Sequence, residues 1–157
     1  MGIEIERKFL VKKTAFRTES NQKKYLKQGY LNADKKRTVR VRIADEIAFI
    51  TVKGESNSTG MSRFEWEKEI KKREAEELLL LCEPCLIEKT RHLIDKGRHT
   101  FEVDEFHGDN EGLILAEVEL RSEAEDFIRP NWLGIEVTGD PKYYNSSISK
   151  NPYKNWK

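Results

Sequence analysis

The sequence lacks the features that mark several large classes of protein. Its 157 residues contain no apolar run of the length that a membrane-spanning helix needs, and the longest candidate is the short stretch 78–82. Acidic residues at positions 4 and 6 are incompatible with a secretory signal peptide. The two cysteines, Cys82 and Cys85, form a single C-x-x-C without the further ligands of a zinc site. We therefore expect a cytoplasmic protein with two reduced thiols near the end of a helix.

The chain also lacks an excess of charge of either sign. Its 29 basic and 28 acidic residues give a net charge of +1, which does not favour bulk nucleic acid or a membrane as a partner. Charged residues nevertheless make up 36% of the chain, above the usual level of about 25%. Any anion site must therefore be local. The absence of a Walker A glycine loop, and of Ser-His-Asp or Cys-His arrangements, excludes a P-loop enzyme and common acyl-transfer sites.

What the sequence does contain is a series of segments in which apolar and charged residues alternate. A period of two residues predicts strands, here at 3–11, 25–32, 37–44, 46–53, 62–70, 86–93, 99–106 and 113–121. Helices are predicted at 14–24, with Thr14 as N-cap, at 72–82, and in two pieces after Ser122. Eight such strands favour an α+β fold built on an antiparallel β-barrel. The length predicts one domain spanning residues 1–157.

The charged faces of these strands carry like charges two residues apart. The acid pairs are Glu4/Glu6, Glu65/Glu67 and Glu117/Glu119, and the base pairs are Arg40/Arg42 and Lys89/Arg91; Lys8, Lys53 and Asp104 add single charges. Residues at i and i+2 lie about 6.7 Å apart on one face, so like charges there repel each other. A single such strand is typical of a solvated surface. The repeated pattern instead favours a charged lumen that holds metal ions and a polyanion, with the apolar outer face covered by helices.

These residue types indicate a particular chemistry. Clustered carboxylates without His or Cys are hard oxygen ligands, which suit Mg²⁺ or Mn²⁺. Arg and Lys side chains bind phosphate oxygens. Both sets in one lumen predict phosphoryl transfer to water, a reaction in which positioning and charge neutralisation do most of the catalysis.

A series of motifs follows one order along these strands. They are E-x-E-x-K at 4–8, R-x-R at 40–42, T-V-K-G at 51–54, R-x-E-x-E at 63–67, K-x-R at 89–91, V-D-E-F at 103–106, E-x-E at 117–119, and E-V-T-G-D at 136–140 followed by Tyr144-Asn145. The ordered set resembles the CYTH superfamily, the triphosphate tunnel metalloenzymes, over nearly the whole chain. The first motif alone is weak in a sequence so rich in charge, whereas the ordered set is specific.

The resemblance implies an eight-stranded antiparallel tunnel that binds a triphosphate with Mg²⁺ or Mn²⁺. The implied triphosphate-binding residues are Lys8, Arg40, Arg42, Lys53, Lys89 and Arg91. The implied metal-binding residues are Glu4, Glu6, Glu65, Glu67, Asp104, Glu117 and Glu119. The implied catalytic residues are Glu4, Glu6, Lys8, Lys53, Glu117 and Glu119. Arg63 is expected to pair with Glu65 or Glu67, and Tyr30 to lie at the tunnel mouth or in the core.

Several activities share this site within the family. The compact chain most resembles small bacterial inorganic triphosphatases, so the expected function is metal-dependent hydrolysis of tripolyphosphate to pyrophosphate and phosphate. Three alternatives stay open: a class IV-type adenylate cyclase, a thiamine or nucleoside triphosphatase, and a non-catalytic polyphosphate-binding module. The His-Phe pair that the cyclases carry ahead of the signature is missing from Met1-Gly2-Ile3. The expected partner is a small phosphorylated substrate, and a homodimer is an open alternative to a monomer.

Overall fold

The structure, a computed structural model, describes residues 2–156, so the expected domain limits at residues 1 and 157 lie outside the described range. The strands are β1 (Gly2–Val11), β2 (Gln22–Asn32), β3 (Arg37–Ala44), β4 (Ile47–Gly54), β5 (Ser62–Ile70), β6 (Ile87–Lys96), β7 (His99–Phe106), β8 (Ile114–Glu119) and β9 (Leu133–Glu136). The helices are α1 (Phe16–Glu19), α2 (Lys72–Leu79) and α3 (Asn145–Lys150). Short 3₁₀ turns span Gly108–Asn110, Pro141–Tyr143 and Tyr153–Asn155.

The first eight strands form a closed antiparallel barrel. Their order is β5-β4-β3-β2-β6-β7-β8-β1, and pairing of β1 with β5 closes the ring. Strand β1 makes this closure because its first part pairs with β5 and its residues 6–10 pair with β8. This confirms the eight-stranded antiparallel barrel that the alternating pattern predicts.

The hydrophobic core lies outside the barrel wall, because the inward positions of the strands are charged. The largest cluster contains Phe9, Phe101 and Val118, each fully buried, beneath Trp132 from the segment that follows β8. A second cluster lies under the C-terminal segment, and a third lies between the barrel and α2. Irregular segments therefore supply more of the cover than the helices do. Helices were expected to cover the apolar outer face of the barrel. At Ile3 of β1 this expectation is wrong, since that side chain is 66% exposed.

Three elements differ from the sequence prediction. The predicted helix at 14–24 is only the single turn α1, which begins after Ala15 rather than at a Thr14 cap, because residues from Gln22 pair with β6 as part of β2. Of the two helical pieces predicted after Ser122, the first is wrong. Residues Leu133–Glu136 form β9, which pairs with the end of β1. Only α3 in this region is an α-helix within residues 2–156.

No helix of residues 2–156 combines the length and the apolar composition that crossing a membrane requires. Cys82 and Cys85 are free thiols that follow α2, as expected.

Candidate active site

The barrel lumen holds a cavity of about 200 Å³ that charged side chains surround. Its acidic lining residues are Glu4, Glu6, Glu65, Glu67, Glu102, Glu117 and Glu119. Its basic lining residues are Lys8, Arg40, Arg42, Lys53, Arg63, Lys89 and Arg91. Its uncharged lining residues are Tyr30, Thr38, Thr51, Tyr144, Asn145 and Ser146. Among the described residues, seven acids and seven bases thus face one space that no aliphatic side chain lines.

The structure brings together all the residues of the predicted site except one. Asp104 does not line the cavity. It is 1% exposed and lies behind the lining, where its carboxylate forms ion pairs with Lys89 and Arg91. Glu102, which lies two residues earlier on the same face of β7, lines the cavity instead. Arg7 lies outside the lumen, where it forms an ion pair with Glu136 at 2.6 Å, as the alternation along β1 predicts.

One side of the lumen is a wall of mutually close carboxylates from β1, β5 and β8, which we call the acid wall: Glu4, Glu6, Glu65, Glu117 and Glu119. It forms because Glu6 lies opposite Glu119, and Lys8 opposite Glu117, in the β1–β8 ladder. Burial, together with the nearby Glu117 and Glu4 carboxylates, raises the pKa of Glu6 well above its usual value. The pKa of Glu117 lies well below its usual value, because Lys8 and a hydrogen bond from Glu6 outweigh its burial. Glu6 is therefore the carboxyl of this pair that holds a proton more readily, and Glu117 is the one that ionises more readily.

The acid wall continues toward β5, where some of its charge is balanced. The ammonium of Lys53 lies 2.9 Å from Glu4 and 3.5 Å from Glu65. Arg63 lies 3.6 Å from Glu4, so its pairing with Glu65 or Glu67, expected from the motif, is not the one found. Burial opposes ionisation of Glu4, but Lys53 and Arg63 lower its pKa overall. Burial and the neighbouring Glu4 raise the pKa of Glu65, so this part of the wall still carries excess negative charge.

The next part of the lumen wall holds a buried cluster from β6 and β7, which we call the β6–β7 cluster: Lys89, Arg91 and Asp104. It begins beside the acid wall, since Arg91 lies 3.8 Å from Glu117. The Asp104 carboxylate accepts two hydrogen bonds from Arg91, at 2.8 and 3.0 Å, and lies 2.8 Å from the Lys89 ammonium. Burial alone would raise the pKa of Asp104, but Arg91 and Lys89 hold it well below its usual range. Burial lowers the pKa of Lys89 to about 7, although Asp104 opposes this effect.

Two arginines of β3 extend the basic side of the lumen. Arg40 donates to Thr51 at 3.3 Å and lies 3.6 Å from Glu67. Arg42 donates to the Gln28 side chain at 3.2 Å, and burial together with Arg40 and Arg91 lowers the pKa of Arg42 to about 9. The Nε of Arg40 is buried and has no hydrogen-bond partner among residues 2–156. A buried, unpartnered guanidinium donor beside a cavity is a site for an external acceptor such as a phosphate oxygen.

The C-terminal segment closes one end of the tunnel. Lys8 donates to the carbonyl oxygen of Tyr143 at 3.0 Å, and its ammonium lies 5.8 Å from the centre of the Tyr144 ring. The side-chain oxygen of Asn145 accepts from Lys89 at 3.0 Å and from Gln28 at 3.3 Å. Residues far apart in the sequence therefore complete the lining.

Sequence reasoning missed Glu102, Thr51, Gln28 and Asn145. Glu102 had a usable signal, because it lies two residues before Asp104 on the same face of a predicted strand. Thr51 lies two residues before Lys53, so the same rule places it in the lumen. Gln28 is uncharged and carried no such signal, whereas Asn145 belongs to the motif set but had no role assigned to it.

The acid wall suits a hard divalent cation. Within residues 2–156, no three carboxylates stand close enough to form a finished metal centre. The donor set nevertheless fits one, because burial and the neighbouring Glu117 and Glu4 carboxylates oppose the ionisation of Glu6, and oxygen donors are those that Mg²⁺ and Mn²⁺ prefer. A cation would offset the repulsion between these carboxylates.

Comparison with known proteins identifies relatives along the whole chain. The CYTH domain profile matches residues 2–152. An inorganic triphosphatase of Acetivibrio thermocellus is 50% identical over 100% of this chain and 99% of the relative. An inorganic triphosphatase of Nitrosomonas europaea is 38% identical over 93% of this chain and 96% of the relative. The crystal structure of the inorganic triphosphatase NE1496 is 36% identical and superposes with a TM-score of 0.63 over 93% of this chain and 97% of that chain.

Proposed function

The chain belongs to the CYTH domain family, and from that premise we propose that it hydrolyses inorganic tripolyphosphate to pyrophosphate and phosphate with a divalent cation. The similarity to inorganic triphosphatases extends over nearly the whole chain and therefore includes all the strands of the tunnel. The small phosphorylated substrate is the partner that the site favours, and a homodimer stays a prediction.

The observation that carries this proposal is the pairing of two incomplete charge sets in one cavity. Buried bases on one side include an Arg40 donor without an acceptor among residues 2–156, and on the acid wall burial and the neighbouring Glu117 and Glu4 carboxylates raise the pKa of Glu6. The acid wall weakens the binding of a polyanion alone, and the bases weaken the binding of a cation alone. A triphosphate that carries its cation complements both sets.

The basic residues bind and orient the phosphate chain. Arg40, Arg42 and Arg91 present planar donor groups to phosphate oxygens, whereas Lys8, Lys53 and Lys89 act as point charges. As negative charge moves onto the leaving pyrophosphate, these buried cations stabilise it without having to reorganise. Each therefore contributes more to the transition state than an exposed cation would.

The acidic residues bind the cation and the attacking water. Glu4, Glu6, Glu65, Glu117 and Glu119 would hold Mg²⁺ or Mn²⁺, which supplies charge neutralisation at the phosphates and a more acidic water. Burial and neighbouring carboxylates raise the pKa of Glu119 and of Glu65, so either side chain is a stronger base than an ordinary carboxylate and could accept a proton from the attacking water. Glu67 and Glu102 extend the same side of the lining.

The lining favours an inorganic substrate over a nucleotide. Among the described residues, only Tyr30 and Tyr144 bring aromatic rings to the cavity, and no aliphatic side chain lines it. A nucleoside or thiamine group usually binds against an apolar or stacking surface. A bare phosphate chain needs only the charged groups that are present.

Phosphate release from tripolyphosphate, with Mg²⁺, with Mn²⁺ and with EDTA, tests the proposal. We expect release with either metal and none with EDTA. ATP and thiamine triphosphate are included in the same panel, and cyclic AMP is assayed in the ATP reaction. A higher kcat/KM for ATP or thiamine triphosphate would overturn the choice of substrate, cyclic AMP would indicate a cyclase, and tight binding without any release would indicate a non-catalytic module.

A further inference from the structure

Two of the three N–H donors of the Lys89 ammonium have fixed acceptors. It is 1% exposed, lies 2.8 Å from the Asp104 carboxylate and donates to Asn145 Oδ1 at 3.0 Å. A lysine ammonium has three N–H donors in a tetrahedral arrangement, so two fixed acceptors determine the direction of the third donor. That third donor is the one available to a phosphate oxygen in the cavity that Lys89 lines.

The two acceptors come from different parts of the chain. Asp104 lies on the neighbouring strand β7, opposite Arg91 and two rungs from Lys89, whereas Asn145 begins α3, 56 residues after Lys89. The amide oxygen of Asn145 is itself fixed, because Gln28 Nε2 donates to it at 3.3 Å. Burial of Ser146, Ile148 and Ser149 anchors the helix that carries it.

We infer that Asn145 is a positioning residue for phosphate binding, which acts through Lys89. This inference rests on the proposed function and deepens it. Without the Asn145 oxygen, the flexible lysine stem keeps only its contact with Asp104, and the ammonium can turn away from the cavity toward that carboxylate. The C-terminal segment thus belongs to the phosphate site although its residues 143–146 supply no charged side chain.

A purely structural role for Asn145 makes a different prediction. If it only anchors α3, its loss would loosen the tunnel end and weaken binding whether or not Lys89 is present. If it acts through Lys89, its loss has no further effect once Lys89 is gone. A double-mutant cycle separates the two roles, because it measures the coupling and not the sum of the losses.

The experiment measures the Kd of tripolyphosphate by titration calorimetry in EDTA. The proteins are wild type, Asn145→Ala, Asn145→Ser, Lys89→Ala and the double variant Asn145→Ala/Lys89→Ala. Ser suits the start of a helix and is too short to reach Lys89, so it serves if the Ala variant does not fold. The control is Asn151→Ala, an exposed asparagine just beyond the same helix.

We expect the Kd to rise about tenfold in the Asn145 variants, the effect of losing a hydrogen bond to a charged group, and to be unchanged in Asn151→Ala. In the Lys89→Ala background, removing Asn145 should change the Kd by less than about twofold. Equal weakening in both backgrounds, or an Asn145 variant that binds like wild type, would overturn the inference. Neither result would touch the proposed function, which fails only if the wild type releases no phosphate from tripolyphosphate.

Discussion

The acid wall and the β6–β7 cluster are neighbouring parts of one lumen, yet their charges are organised in different ways. In the β6–β7 cluster, Asp104 contacts both Lys89 and Arg91 at 2.8 Å, so the two cations are paired with a buried carboxylate within the protein. In the acid wall, burial and the neighbouring Glu117 and Glu4 carboxylates oppose the ionisation of Glu6 and raise its pKa. The first arrangement is finished before any ligand arrives, and the second is completed by a ligand.

This difference explains how one small cavity can select a substrate with its cation. The preorganised cluster presents donors to an anion at little cost in conformational entropy. The acid wall stores unfavourable charge that a bound cation relieves. The two walls should therefore respond in opposite ways when one of their residues is neutralised.

The largest effect is expected at the acid wall. Glu6→Gln removes a cation ligand, so kcat/KM for tripolyphosphate should fall by at least about a hundredfold. The same change removes a carboxyl whose pKa is raised by folding, and such a group lowers stability above its unfolded-state pKa. The melting temperature in EDTA at neutral pH should therefore rise by about 2–4 °C for each kcal/mol relieved. Glu76→Gln, on the exposed side of α2, should change neither quantity. A Glu6→Gln variant that loses activity and also has a lower melting temperature in EDTA than wild type would contradict this description of the acid wall.

The second effect concerns the β6–β7 cluster and has the opposite sign for stability. Asp104→Asn leaves Lys89 buried without the carboxylate that it contacts, whereas Arg91 keeps Glu102 at 3.2 Å and Glu117 at 3.8 Å. Because a buried cation then lacks its counter-charge, the free energy of unfolding should fall by about 3–5 kcal/mol. If Asp104 acts by positioning these bases, the metal concentration for half-maximal activity should stay within about twofold of wild type while KM rises. A metal requirement that rises with KM unchanged would instead restore the ligand role expected from the family resemblance.

A third effect is a difference in the protons exchanged on binding. Burial lowers the pKa of Lys89 to about 7, so at pH 7.5 part of the population is neutral, and a bound triphosphate should draw a proton to it. Burial and nearby carboxylates raise the pKa of Glu6, so a bound cation should expel a proton. Calorimetry in buffers of different ionisation enthalpy measures both signs. Uptake on binding of the cation, or release on binding of metal-free triphosphate, would argue against the assignment.

The smallest effect is expected outside the lumen. Arg7 pairs with Glu136 and lies 5.1 Å from the centre of the Phe127 ring on the outer face of β1. Arg7→Ala should therefore lower stability by about 1 kcal/mol and leave kcat/KM within about twofold of wild type. Thermal melts and initial rates check both values, and a large loss of activity would place Arg7 in the site after all.

The alternating pattern was sufficient to predict the barrel and nearly all of its lumen. A period of two fixes the face on which a strand residue lies, so the positions of Glu4, Arg40 and Lys89 followed from the sequence. It does not fix depth, which is why Asp104 was expected in the cavity although it lies behind Arg91. Strand β9 was missed because four residues are too few to show a period, and its pairing with β1 is a tertiary contact.

The contribution of Asn145 shows the other limit. The residue is neutral and belongs to no charged row, so the alternating pattern gives it no role in the site, although it stands in the motif set. Its placement depends on how the segment after β9 crosses the end of the barrel and brings Asn145 within 3.0 Å of Lys89. Such a contact follows from the packing of distant segments and not from a pattern in either of them.

The most direct test of the whole account is the rate of phosphate release from tripolyphosphate as Mg²⁺ is titrated into metal-free protein. The account predicts no release in EDTA, a rise with Mg²⁺ to a plateau, and pyrophosphate as the second product. Release that is unaffected by EDTA, or a plateau at which tripolyphosphate is bound and never cleaved, would contradict it.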